Sequence, residues 1–194
     1  MQKADKIRLL VFPTAFGTLW GLIELLAGGW LHVMHVPLSG AYLGAIGAII
    51  LCAERAFTPV RGATLYTGLT AILIKSLAIG GVQARLNTVI ALALETAMAE
   101  IVLSVLGVGV ISFFITPLLC AMENAAHFFV NNWIKYGGDV FGMYAEIFHK
   151  MQPLFGLKPD SWKMFVAVWL AAHLVIGVAA GFVSVRVGKY LRKL

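Results

Sequence analysis

Charge is what this chain has least of: Asp, Glu, Lys and Arg make up 12% of its 194 residues, about half the share of an ordinary soluble domain. Cysteine is nearly absent. Cys52 and Cys120 both lie inside apolar stretches, where they read as small buried hydrophobes and not as a disulfide or a metal pair. No H-E-x-x-H, G-x-S-x-G, P-loop or C-x-x-C occurs, so neither zincin-type hydrolysis nor nucleotide hydrolysis has a motif to rest on, and no cofactor is expected. There is also no linker, internal repeat or low-complexity tract, which leaves a single domain over 1–194. A cleaved signal peptide is not expected, because the first apolar segment is too long for an h-region and no small-residue cleavage pattern follows it.

What fills the chain instead is apolar sequence. Counting glycine and leaving out tyrosine, about 68% of the residues are apolar, against about 45–50% in soluble domains, and the mean hydropathy is +0.89. The composition is that of an integral membrane protein. A net charge of +6 would suggest nucleic acid for a soluble protein. Here the basic residues sit in short loops and at the ends, where they act as topology signals, so the expected partner is the lipid bilayer and not nucleic acid.

The stretch from Thr14 to His35, TAFGTLWGLIELLAGGWLHVMH, organises the reading. It is long enough to cross a bilayer, yet Glu24 falls near its middle, where an ionisable group costs at least about 2.5 kcal/mol on insertion scales and so faces protein or a watery cavity by default. Gly17, Gly21, Glu24 and Gly28 are four, three and four residues apart, with His35 in the same register. They share one helical face, and glycines on that face let another backbone approach.

The pattern predicts an all-α bundle of six transmembrane helices at about 9–35, 39–56, 62–79, 86–106, 110–133 and 161–186. Pro13 is placed near the start of the first, where a missing N–H costs little. Gly40, Gly44 and Gly47 give the second a glycine face that should pack hard against the first. Glu54, Arg55, Pro59 and Arg61 read as the polar break that follows. The third carries Lys75. The fourth carries Glu95 and Glu100, whose five-residue separation is about 140° of rotation, so they cannot share one narrow pocket. The fifth has the densest polar stripe, Thr116, Cys120, Glu123, His127 and Asn131; the sixth carries Trp162, Trp169, His173, Gly177 and Gly181. An amphipathic helix at about 139–151 is expected in the long loop between helices five and six, lying in the interface or over the bundle mouth.

With six spans, nine Lys and Arg fall on the side of the termini and five on the other, with Lys75 inside the membrane. Both termini are therefore expected in the cytoplasm, and the protein in the cell's inner (cytoplasmic) membrane. That orientation gathers Lys75, Glu123, His127 and Asn131 in the outer half, with His32 and His35 at the rim and Glu24, Glu95 and His173 near mid-depth. The convergence predicts a cavity opening outward, with apolar walls and a few fixed polar groups. Alternatives remain at several positions. Glu123 and His127 could simply bond each other, Lys75 could pair with Glu95, Glu123 or Glu24, His173 could be a satisfied helix contact, and His32 with His35 could hold a soft or borderline metal.

The segments AFGTLWGLIELLAGGWLHVMHVPLSG and ALALETAMAEIVLSVLG, with six spans and an outer-half cavity, make the chain resemble the substrate-binding S components of energy-coupling factor (ECF) transporters over most of its length. The resemblance implies a small vitamin, metal or precursor bound beneath the external loops, and docking on a transmembrane coupling protein driven by cytoplasmic ATPases. The family's A-x-x-x-A docking face has a counterpart in Gly17 and Gly21. The N-terminal histidine of its nickel and cobalt members does not, since this chain begins Met1-Gln2-Lys3. Two other classes remain: an intramembrane enzyme acting on a lipid or prenyl substrate, with Glu123 and His127 as acid and base, or a small proton-linked carrier titrating Glu24 and Glu95.

Overall fold

A computed structural model describes residues 3–34, 38–77, 82–139, 142 and 162–193, and among these every regular element is helical. The α-helices are α1 (Lys3–Val33), α2 (Ser39–Phe57), α3 (Ala63–Ser76), α4 (Val82–Val105), α5 (Val110–Tyr136) and α6 (Trp162–Leu191), with a 3-10 turn at Gly137–Asp139. Five of them are long and apolar enough to cross a membrane, over Leu9–Leu31, Ser39–Phe57, Leu86–Val105, Val110–Val130 and Val166–Leu191. Such a set is what a multi-pass membrane protein requires. The third expected span is the exception: α3 has 14 residues, about 21 Å of helix against a hydrocarbon core of about 30 Å. The amphipathic helix expected at 139–151 falls almost wholly outside the described residues.

The axis of the bundle is α2, which touches each of the other five helices. Around it the pairs α1–α3, α3–α4, α4–α5 and α5–α6 pack side by side. Small residues make that central position possible: Ala41, Gly44, Ala45, Gly47 and Ala48 are all buried, and a helix with so thin a waist can be surrounded. The apolar core that results joins Trp20, Leu51, Cys52, Ala71, Leu103 and Phe113. Both cysteines are buried and free.

The glycine face of α1 meets α3 and not, as expected, the glycine face of α2. A Cβ on Gly21 would lie 2.8 Å from Ile74 Cβ and 3.1 Å from Ala71 Cα, and one on Gly17 would strike the Thr67 carbonyl. The two backbones are thus in near contact, while Leu22, Leu26 and Trp30 on the other side of α1 are exposed, as lipid-facing residues are. On α6, Gly177 and Gly181 do the same against Leu118 and Phe114 of α5. Pro13 lies inside α1, well after its start at Lys3, and is fully buried. Neighbouring helices make such an interior proline tolerable in a membrane.

At the far end of α2 the chain leaves the helix at Thr58, because a residue before proline is driven out of the α region; Thr58 has φ −118° and ψ 78°. Gly62, at φ +88°, supplies the left-handed turn into α3 that a side chain would strain. Glu54 and Arg55, expected in the polar break, belong to α2 and are buried in the bundle.

Candidate functional site

Two polar clusters sit on α2. The first lies at its C-terminal end. Arg55 is only 2% exposed and grips Glu100 of α4 with both nitrogens, Nη2 to Oε1 at 3.2 Å and Nη1 to Oε2 at 3.3 Å. It also donates to Ser104 Oγ at 2.7 Å and to the Val60 carbonyl. Glu100 in turn accepts from Ser104 Oγ and from the Gly62 N–H at 2.8 Å. Fork-to-fork pairing of this kind fixes geometry as well as charge, and here it ties α2, the α2–α3 turn and α4 together. Beside it Glu54 is fully buried, and neither of its oxygens has a hydrogen-bond partner among the described residues.

The second cluster lies on the glycine face of α2, where three helices deliver polar groups. From α4, Glu95 is 2% exposed; its Oε1 would sit 2.8 Å from a Cβ on Gly47 and its Oε2 3.6 Å from one on Gly44. From α1, the indole Nε1 of Trp20, fully buried, reaches the same point over Gly47 at 2.6 Å. From α5, the Asn124 amide lies against Gly40 and Gly44 while its Nδ2 donates to the Cys120 carbonyl at 3.1 Å. The glycines of α2 therefore make room for side chains where those of α1 make room for a backbone. Glu95 Oε1 has no hydrogen-bond partner among the described residues, while the Trp20 indole N–H lies within reach of the Glu24 carboxylate one turn along.

Of the residues singled out from sequence, Glu24 and Lys75 do pair. Lys75 Nζ lies 3.6 Å from Glu24 Oε2 and donates to the Glu24 backbone carbonyl, which settles which carboxylate takes the lysine. Glu95 lies within electrostatic reach of both Glu24 and Glu123. Neither oxygen of Glu123 has a hydrogen-bond partner among the described residues, so it is not bonded to His127; His127 lies against the backbone of Asn87 instead. His173 stands apart from the carboxylates in its contacts. Its Nδ1 is 2.9 Å from the Trp169 carbonyl one turn back, and its ring stacks edge-on to Trp169 at 4.2 Å. Trp169 in turn packs on Phe128 and Phe129 at 4.9 and 5.0 Å. His35 and the side chains of His32 and Asn131 lie outside the described residues. Among the described residues, no three His, Cys, Asp or Glu side chains come together as a metal site would need.

Sequence reasoning missed Trp20, Asn124 and the Arg55–Glu100 pair. Trp20 lies four residues before Glu24, and Asn124 four after Cys120, so helical spacing alone would have put each beside a residue already chosen. Arg55 gave no such signal, because an arginine four residues before a proline reads as the end of a span.

An open groove of about 440 Å³ lies elsewhere, between α1 and the start of α3, lined by Leu9, Arg61, Gly62, Leu65, Tyr66 and Leu69.

The chain matches no protein-family model, no curated protein and no solved structure.

Proposed function

We propose that this chain is a membrane-embedded binding subunit for a small molecule, part of an uptake transporter energised by a separate coupling protein and its ATPases. The observation that carries the reading is the buried Glu95 on the α2 glycine face, whose Oε1 has no hydrogen-bond partner among the described residues. An unpaired buried polar group costs about 1–3 kcal/mol, a standing cost that a ligand removes. Glu123 adds two more unsatisfied oxygens, and Lys75 is already held by Glu24. Carboxylates outnumber the cations available to them, which favours a ligand presenting N–H donors or positive charge to Glu95 and Glu123.

In this reading the chain crosses the inner membrane six times with both ends in the cytoplasm, and α3 with its flanking residues makes the third crossing. Arg55 leaves the topology count, since its charge is used inside the bundle, but the asymmetry keeps its sign. The coupling protein cannot use Gly17 and Gly21, which α3 covers, and must dock on another face. The enzyme reading is the weaker one, because the hydrogen bond through which Glu123 and His127 would share a proton is not made.

Native mass spectrometry of the gently purified protein tests the proposal. A retained small molecule that is not a lipid, reduced at least about five-fold in Glu95→Gln and Glu123→Gln variants that remain folded, is the expected result. Bare wild-type protein, or equal retention by all three, would sink it.

A further inference from the structure

Arg55 and Arg61 stand six residues apart and meet opposite fates. Arg55 is buried and fully engaged, whereas Arg61 is exposed and has no hydrogen-bond or ion-pair partner among the described residues. Arg61 lies in the α2–α3 connection, level with Leu9, the first residue of the α1 span, so its guanidinium stands at the edge of the apolar zone. From there the groove runs inward along α3. Leu65 and Leu69, about half exposed, follow at one-turn intervals and carry it about 12 Å below Arg61, with Leu9 as the opposite wall. Tyr66, 45% exposed with no hydroxyl partner among the described residues, stands within it, as interfacial tyrosines do. The groove, open and with a volume of about 440 Å³, is therefore cationic and hydrogen-bond-donating at the membrane surface and aliphatic below.

We propose that this groove is a binding site for one anionic phospholipid of the adjacent leaflet, its phosphate on Arg61 and Tyr66 and an acyl chain along Leu65 and Leu69. The charge is complementary, the polar-to-apolar order follows the lipid's own, and the lipid is the solvent this face meets. The site is separate from the Glu95 cluster and needs only that the chain lie in a bilayer. Because an unpaired arginine near an anionic surface is worth about 1 kcal/mol, it should favour an anionic over a zwitterionic lipid by about five-fold.

The test is native mass spectrometry of the full chain in detergent micelles doped with equal amounts of phosphatidylglycerol and phosphatidylcholine of matched acyl chains. One bound phosphatidylglycerol, preferred about five-fold, is expected for wild type and for Lys189→Gln, which removes an equal charge elsewhere on the surface. Arg61→Gln should erase the preference. Leu65→Trp, which fills the groove and keeps Arg61, should reduce binding of both lipids. No preference in wild type, equal loss in Arg61→Gln and Lys189→Gln, unchanged binding by Leu65→Trp, or displacement of the lipid by millimolar inorganic phosphate would each overturn the proposal.

Discussion

The two ends of α2 solve the same electrostatic problem differently. At its C-terminal end a buried charge, Arg55, meets a carboxylate, a hydroxyl and a backbone carbonyl, and Glu100 is bonded on both oxygens. On its glycine face Glu95 and Trp20 are more deeply enclosed than Glu100, yet Glu95 Oε1, close over Gly47, has no hydrogen-bond partner among the described residues. A satisfied network rigidifies the structure around it, while an unsatisfied one carries a cost that a further partner would remove. Amino-acid type does not separate the two ends, since each is built on a glutamate of α4 one and a half turns from the other. What separates Glu100 from Glu95 is whether the described residues supply the partner; Glu54, beside Arg55, shares the unpaired state of Glu95.

The largest effect should come from opening the closed end. Arg55→Ala leaves the partly buried Glu100 without its cation, a loss of about 3 kcal/mol at the low end of the range for buried pairs, which should appear as a drop in thermal midpoint in detergent, or as failure to accumulate. The double variant Arg55→Met/Glu100→Leu should recover most of that loss. If Arg55→Ala melts with wild type, the C-terminal cluster is not the staple that its geometry implies.

Next comes the α1–α3 contact. Gly21→Leu drives a side chain into Ile74 and Ala71, overpacking that costs about 1–3 kcal/mol, whereas Leu22→Ala on the exposed side should change the melting midpoint little. Equal effects of the two substitutions would mean that the buried face of α1 has been misassigned.

That face was legible in sequence because glycines at spacings of four and three around a glutamate mark, in an apolar helix, the side turned away from lipid. Its partner was not legible, since α2 and α3 both offered small residues and only the packing of the whole bundle decides between them. Lys75 was narrowed to three carboxylates by charge alone; the choice of Glu24 needed the α1–α3 contact. The fifth helix shows the limit in another way. Its stripe was drawn through Glu123, His127 and Asn131, but the side chain that reaches the α2 glycines is Asn124, about 100° round the helix from Glu123. The central place of α2 was invisible for a related reason: its small residues were read as one contact face, whereas they are what lets five helices touch it.

The open end should give effects on binding with little cost in stability. Glu95→Gln keeps the shape of the side chain and removes its charge, so retained ligand should fall about five- to 150-fold while the melting midpoint holds or rises. Gly47→Ala should instead lower retention and the melting midpoint together, since its methyl would lie 2.6 Å from Trp20 Nε1 and 2.8 Å from Glu95 Oε1, overpacking that costs about 1–3 kcal/mol. A Glu95→Gln variant that binds normally but melts many degrees lower would make the glycine face a second structural cluster and abolish the contrast between the ends of α2.

The smallest effect is expected at His173, and it bears on how far the open end extends. The imidazole is buried and sits under Trp169, with its Nδ1 turned back to the carbonyl of that same residue. A carbonyl four residues back in a helix already serves the backbone ladder, so the side-chain bond is a supplement to it, worth at most about 1 kcal/mol. His173→Phe keeps the ring and its edge-on packing with Trp169, and through it the contact with Phe128 and Phe129. Melting should therefore move only slightly, and ligand retention should match wild type, because the carboxylates assigned to the ligand, Glu95 and Glu123, are not part of the aromatic box. A several-fold fall in retention by His173→Phe at unchanged melting would bring α6 into the binding site and extend it beyond the glycine face of α2.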